Sequence, residues 1–314
     1  MPSAVNCENV ETVALVDTDL ARAKSLAKAY GVPNVSDSHR TVSKVADAAL
    51  VAVPNRFHAP VTLDLLNDGI HVLVEKPMAL NLRECDAIIS AAEAAGLVLA
   101  VGLVRRFYPS SQFVRGGIEQ GLIGDITRFD VTEGRVFDWP AASDSFFRKE
   151  ISGGGVLIDT GVHVLDLLLW WLGDPESLEY YDDAAGGVEA DCYLQMRYPN
   201  GIVGTVEISR TRNLRNSCIL YGTRGTLHVG TDFDSQVSLT LKGREMTLTG
   251  QVFRDRAGPS EFLEPYRRQL DNFADAVLNG QEPLVPGHEG RRSLAVIESC
   301  YAARRPLLKP WDHE

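Results

Sequence analysis

Apolar and polar positions change rhythm about a third of the way along the chain. Before that point, short apolar runs alternate with stretches of helical spacing. Val13 to Val16 reads as a strand that ends at Asp17. From Asp19 to Tyr30 alanines and leucines recur at helical spacing with Arg22, Lys24 and Lys28 between them, and Gly31-Val32-Pro33 stops the helix. The same reading predicts strands at Ala49 to Val53, His71 to Val74 and Leu97 to Val101, with helices at Pro60 to Asn67 and Leu82 to Ala95. Leu97 to Val101 is apolar throughout, the mark of a strand buried on both faces. Strands and crossover helices in this alternation predict half of a doubly wound parallel sheet. Val5 to Glu11 reads as the tail of an earlier crossover helix.

After about Arg105 a helical stretch runs to Gly121, and period-two alternation then dominates. It appears at Ile126 to Gly134, Ala190 to Tyr198, Ile202 to Ser209, Ser217 to Leu220 and Val237 to Leu241, with turns such as Pro199-Asn200-Gly201 between. This predicts a large, mostly antiparallel sheet. Its helices are Val156 to Leu172, about Glu261 to Asn279, and Gly287 to Ala303. A chain of 314 residues exceeds what one compact core usually holds, so two domains are expected, 1–104 and 105–314.

Composition narrows the partners. With 31 basic and 42 acidic residues the formal charge is −11, which repels phosphodiester backbones and anionic lipid and argues against nucleic-acid and membrane partners. No uncharged apolar run approaches the roughly 20 residues of a membrane helix. The opening Met1-Pro2-Ser3-Ala4-Val5 lacks the basic and apolar parts of a secretory leader, so a cytoplasmic protein is expected. The scattered Cys7, Cys85, Cys192, Cys218 and Cys300 form no C-x-x-C pair and read as reduced thiols.

Ligands of an open parallel sheet sit beyond the carboxyl ends of its strands, so strand-end residues are the first candidates for chemistry. Asp17 can accept hydrogen bonds from adenosine ribose hydroxyls, or Asp17 or Asp19 can simply cap the next helix. Arg22 can approach a 2′-phosphate or lie solvated. Lys76, in Glu75-Lys76-Pro77, can hold a substrate hydroxyl and exchange a proton with it, or be an ordinary surface lysine; Pro77 suits a cis bond in a tight turn. His58, after Pro54-Asn55, could touch a cofactor or cap a helix. Arg105-Arg106-Phe107 could pin the two halves together or contact substrate.

The stretch from Gly153 to Asp166 carries the most information. In a regular helix from Val156, Asp159, His163 and Asp166 fall at i, i+4 and i+7 on one face, opposite Leu165, Leu168, Leu169 and Leu172. This is either an Asp-His surface pair or a catalytic group. Gly153-Gly154-Gly155 lets a backbone or ligand approach, or marks a flexible hairpin end. Nothing obvious completes a metal site around Asp159 and His163, so no metal is expected, although a metal-dependent hydrolase or lyase would use the same pair.

These segments together resemble the family of glucose-fructose oxidoreductase, inositol dehydrogenase and rhizopine-catabolism dehydrogenases (Gfo/Idh/MocA). The matches are Val16-Asp17 with Ala21-Arg22-Ala23, Pro54-Asn55-x-x-His58, Gly69-x-His71-Val72-Leu73-Val74-Glu75-Lys76-Pro77 and Arg106-Phe107-Tyr108-Pro109. They continue with the G-G-G-x-L-x-D-x-G-x-H-x-x-D run from Gly153 to Asp166 and with Gly222-Thr223-x-Gly225-Thr226-Leu227. The resemblance implies a Rossmann domain, then an α/β domain whose open sheet often forms an oligomer interface, so a homo-oligomer, dimer or tetramer. It implies hydride transfer between NAD, or NADP, and a hydroxyl- or carbonyl-bearing carbon of a sugar, cyclitol or related polyol. Lys76, Asp159 and His163 would be the catalytic group. Asp17, Arg22, Asn55, His58, Glu75 and Lys76 would line the cofactor cleft, and Arg106, Asp159 and His163 would meet substrate. One departure stands out, because the family opens with a strand and a G-x-G-x-x-G turn, and Val13 comes too early for either. The expected Rossmann sheet is therefore truncated at its amino end, short of a βαβ unit by roughly 20 to 25 residues. That departure supports an alternative, a noncatalytic binding or scaffold protein with no phosphate-binding loop.

Overall fold

A computed structural model describes residues 2–5, 7–138, 144–231, 236–241, 243–248 and 263–308. The chain forms two compact units, Met1–Val104 with Phe262–Arg291, and Arg105–Glu261 with Arg292–Glu314. The division expected at 104/105 would leave residues 262–291 in the second domain. They pack in the first because the helix Glu264–Asn279 buries Phe273 against Leu73 and Ala100, with Leu270 and Val277 alongside.

In the first unit, β1 (Ala14–Val16) and β2 (Asn34–Ser36) pair in parallel. A second parallel sheet runs in the order β3 (Ala48–Val51), β4 (His71–Val74) and β5 (Leu99–Val101). The helices Leu20–Tyr30, His58–Asn67 and Leu82–Ala95 make the crossovers. Their ends are set locally: Asp19 accepts hydrogen bonds from the N–H groups of Ala21 and Arg22, and Gly31 closes that helix in the left-handed region at φ 71°. Asn81 accepts from Glu84 N–H while the Glu84 carboxylate reaches back to Leu80 N–H, a reciprocal cap that fixes the start of the next helix. Val72, Leu73 and Val74 are fully buried, as a strand covered on both faces requires.

The amino end departs from expectation. The helix there is Pro2–Val5, and the residues from Cys7 to Glu11 are not helical. Contacts with the helix Glu264–Asn279 override local preference: Cys7 Sγ donates to Asp271 Oδ1 at 2.9 Å. Ser3 Oγ donates to the Leu263 carbonyl at the head of that helix.

The second unit is built on a nine-stranded sheet, whose strands are β6 (Ile126–Gly134), β7 (Ser177–Asp182), β8 (Asp191–Arg197), β9 (Val203–Ser209), β10 (Ser217–Gly222), β11 (Gly225–Gly230), β12 (Val237–Leu241), β13 (Arg244–Leu248) and β14 (Arg304–Pro306). Their order is β13-β12-β11-β10-β6-β9-β8-β7-β14, antiparallel except for β6 with β9 and β14 with β7. Alternation buries Phe129, Val131, Val206, Leu220 and Leu227 on one face and leaves Arg128, Asp130, Tyr193 and His228 more accessible on the other. The helices Pro109–Glu119 and Val162–Leu172 pack against each other. Among the described residues one helical stretch, Lys149–Leu172, is long and apolar enough to cross a membrane by composition. It is mostly buried inside this unit, and Gly153 interrupts it at φ 86°.

Candidate functional site

The first unit gathers its candidate groups just past strand ends. Asp17 follows β1, and Arg22, in the first turn of the next helix, forks onto it with Nε and Nη2 each at 2.7 Å. Asp19 is the helix cap, which leaves Asp17 to this pair and to the Asp19 N–H. The guanidinium beside it holds the Asp17 carboxyl below the usual carboxylate range.

Asn55 opens a short 3-10 turn, Asn55–Phe57, that leads from β3 into the next helix. Glu75, Lys76 and Pro77 follow β4, and Lys76-Pro77 is cis. Burial pushes the Glu75 carboxyl up, and the charge of Lys76 opposes that shift. His58 lies 1 % exposed, with Nδ1 2.7 Å from the Pro77 carbonyl and Nε2 2.8 Å from the Val53 carbonyl. Both ring nitrogens thus face backbone carbonyls, of which the neutral ring can donate to one; burial pushes the imidazole pKa down, and the two carbonyls oppose that shift. His58 is therefore neither a cofactor contact nor a helix cap. It ties the loop after β3 to the loop that carries Lys76.

In the second unit, a π-helical turn, Leu157–Gly161, precedes the α-helix Val162–Leu172. The regular helix expected from Val156 is therefore broken, and the three polar residues diverge. Asp166 is fully buried: Arg106 Nε lies 3.1 and 3.0 Å from its two carboxylate oxygens, and Arg106 Nη2 donates to Oδ1 at 2.7 Å. Arg106, itself 2 % exposed, also lies over the Trp170 ring. Its expected substrate contact is corrected by this burial, and Asp166 is no surface partner of His163. Between Gly154 and Leu169 only Asp159, Thr160 and His163 reach solvent. Asp159 accepts a charged hydrogen bond from Arg210 Nη2, and the Arg210 guanidinium lies 4.2 Å above the Phe146 ring.

Sequence reasoning missed Arg210 and Glu189. Glu189 Oε1 accepts from Gly155 and Leu157 N–H, each at 3.0 Å, and from Tyr301 Oη at 2.8 Å. Arg210 directly follows β9 and Glu189 shortly precedes β8. Charged residues flanking apolar alternation were the available signal, but their partners lie 51 and 34 residues away along the chain.

Parallel strand-helix-strand units with Asp17, Glu75 and Lys76 at strand ends are the arrangement of a dinucleotide-binding fold, and the second unit carries Asp159 and His163 accessible on a buried helix. Residues 2–103 match the model of the oxidoreductase family with an NAD-binding Rossmann fold, and residues 112–228 match the Gfo/Idh/MocA C-terminal domain. The chain belongs to the Gfo/Idh/MocA family. It is similar to the D-glucoside 3-dehydrogenase of Escherichia coli (strain K12), 29% identical over 274 residues that cover 76% of each chain. It is also similar to the scyllo-inositol 2-dehydrogenase (NAD(+)) of Bacillus subtilis (strain 168), 27% identical over 304 residues, 90% of this chain and 83% of that one. Among solved structures, the aldose-aldose oxidoreductase from Caulobacter crescentus complexed with glycerol superimposes with a TM-score of 0.85 at 25% identity, covering 96% of this chain and 92% of that one.

Proposed function

We propose that the chain is an NAD-dependent oxidoreductase that moves a hydride between nicotinamide and a hydroxyl- or carbonyl-bearing carbon of a sugar, cyclitol or related polyol. The observation that carries this reading is the accessible Asp159 and His163 on an otherwise buried helix, in a family whose relatives are sugar and inositol dehydrogenases. The first unit fits the two ends of the cofactor: Asp17 offers carboxylate oxygens to the adenosine ribose, Glu75 and Lys76 stand beyond β4, and Asn55 stands beyond the neighbouring β3. The nicotinamide, when bound, accepts or gives the hydride. During alcohol oxidation His163 takes the hydroxyl proton, Asp159 orients that hydroxyl while Arg210 holds its carboxylate, and Lys76 polarises the same oxygen. In reduction the roles reverse.

NAD is favoured over NADP because the Asp17 carboxylate would repel a 2′-phosphate; Arg22 is the opposing charge. A homo-oligomer, dimer or tetramer, formed through the accessible face of the nine-stranded sheet is supported by the partly exposed Tyr193, Ile219 and His228 there. A cytoplasmic location is supported by five free, buried cysteines.

One observation favours the noncatalytic alternative. The parallel strands of the first unit lie in two separate sheets, β1-β2 and β3-β4-β5. Titration of NADH and NADPH by nicotinamide fluorescence, followed by a sugar and polyol screen, decides between the readings. We expect NADH binding and turnover, with Lys76→Ala and His163→Ala lowering kcat far more than they weaken NADH binding. Polyol binding by calorimetry with no nicotinamide binding would establish the noncatalytic reading instead.

A further inference from the structure

Three successive backbone N–H groups stand at the head of the helical run that bears Asp159 and His163, and a single residue satisfies all of them. Gly155 and Leu157 donate to Glu189 Oε1 at 3.0 Å, and Val156 donates to the Glu189 carbonyl at 2.9 Å. The first N–H groups of a helix have no partner within it, and the helix dipole favours negative charge there. Glu189 supplies both needs while only 3 % exposed, and Tyr301 braces the same oxygen at 2.8 Å.

The glycines are the counterpart of this clamp. A Cβ on Gly155 would lie 1.9 Å from the Glu189 carbonyl oxygen, and one on Gly154 would lie 2.0 Å from Tyr301 Oη. The close approach that the triple glycine permits is therefore made by the protein's own Glu189 and Tyr301. Immediately after this anchor the backbone leaves α-helical geometry for the π-helical turn, and Asp159 sits within it.

We propose that Glu189, braced by Tyr301, is a positioning residue: by fixing where the π-helical turn begins, it sets the direction of Asp159 and His163. The inference rests on the proposed hydride-transfer chemistry for its kinetic consequence, and on geometry alone for its structural one. Asp159 and His163 touch the reacting atoms in that reading, whereas Glu189 acts through them.

The experiment compares the full chain with Glu189→Ala, Glu189→Gln and Tyr301→Phe, using whichever sugar or polyol the parent oxidises. A misplacement of about 1 Å at a reacting group costs roughly 100-fold in rate, so kcat should fall roughly 10- to 100-fold in Glu189→Ala, while KM and NADH affinity stay within about threefold. Glu189→Gln keeps a carbonyl oxygen for both N–H groups and should restore most of kcat. Tyr301→Phe should lie between the two. Independently of turnover, the ring protons of His163 are assigned by NMR through His163→Asn. They should shift in Glu189→Ala while those of His39 and His288 stay in place. Parent-like kcat in Glu189→Ala, a Gln variant as damaged as the Ala variant, or an unmoved His163 signal would overturn the proposal. A parent with no polyol turnover would sink the functional reading alone, because the His163 signal still reports on the clamp.

Discussion

The two units hold their candidate polar groups by different means. In the first, Asp17, Asn55, Glu75 and Lys76 follow strands directly, and short-range contacts fix them: Asp17 binds Arg22 five residues on, and His58 faces the carbonyls of Val53 and Pro77. In the second, Asp159, Asp166 and the head of their helix are held by Arg210, Arg106 and Glu189, which are 51, 60 and 34 residues distant in sequence. A strand end in a parallel sheet places a side chain by backbone geometry alone. A mostly buried helix must import counter-charges for the carboxylates it carries, here Asp159 and Asp166. Variants of the second unit should therefore cost the most.

Arg106→Met gives the largest expected effect. It leaves the Asp166 carboxyl buried without its counter-ion, and breaking a buried pair in this way costs roughly 3–5 kcal/mol. Chemical denaturation followed by circular dichroism would measure it. Replacing both partners, as Arg106→Met with Asp166→Leu, should recover most of the loss, since well-packed apolar residues often match a buried ion pair. A single variant as stable as the parent would show that the helix does not depend on imported charge.

His58→Ala tests the first unit in the same way. It removes the bond that the neutral ring donates to one of two buried carbonyls, and the expected loss is about 2–3 kcal/mol, roughly 1 kcal/mol for the bond and the rest for the void. The helix Val162–Leu172 should be unaffected, which hydrogen exchange of its amides would show. If exchange in that helix accelerates as much as in the first unit, the two units do not unfold separately and the contrast between them is lost.

That contrast also explains what was legible in the sequence. Strand ends at Asp17 and Glu75-Lys76, the helix from Leu82 to Ala95 and the cis Lys76-Pro77 follow from local pattern, because periodicity and capping chemistry are local. The strands Asn34–Ser36 and Arg304–Pro306 are too short, or too rich in arginine and proline, to carry a period-two signal. The π-helical turn was hidden because its cause, Glu189, lies beyond any helical window. The fate of Asp166 was hidden likewise: spacing set it beside His163, while packing assigned it to Arg106. Helix Glu264–Asn279 was recognised, but its allegiance to the first unit depends on Phe273 meeting Leu73, which no local pattern records.

Acid titration gives a smaller effect with a defined sign. Burial lowers the pKa of His58 and His71 below the ordinary 6.5, and His71 Nδ1 accepts the Val98 N–H at 2.9 Å, which it can do only while that nitrogen is unprotonated. Below 6.5 the unfolded chain binds more protons at these sites than the folded one. Their stabilisation is thus complete above that pH and is lost as pH falls through the depressed folded values. Glu75 and Glu189, raised by burial, act in the opposite sense: they favour the folded state at low pH and lose that contribution as pH rises through their folded values. Comparing the parent with His71→Gln isolates the histidine part. The parent's thermal midpoint should drop more than the variant's between pH 7.5 and 5.5, and identical slopes would refute the assignment.

The smallest effect is expected at the exposed pair of Asp17 and Arg22, and it should appear in cofactor preference rather than in stability. Arg22 occupies both Asp17 oxygens and holds the carboxyl ionised. Arg22→Ala would release those oxygens to the ribose hydroxyls and remove the cation nearest a 2′-phosphate, so the NADH to NADPH affinity ratio should rise by about two- to fivefold, the scale of an exposed ion pair. Asp17→Asn should move the ratio the other way, because it deletes the charge that repels the phosphate while Arg22 remains. Fluorescence titrations with both nucleotides measure each ratio. Two ratios that move together, or neither moving, would mean that this strand end does not read the ribose. The correspondence between strand-end position and cofactor contact would then fail at the place where the sequence made it plainest.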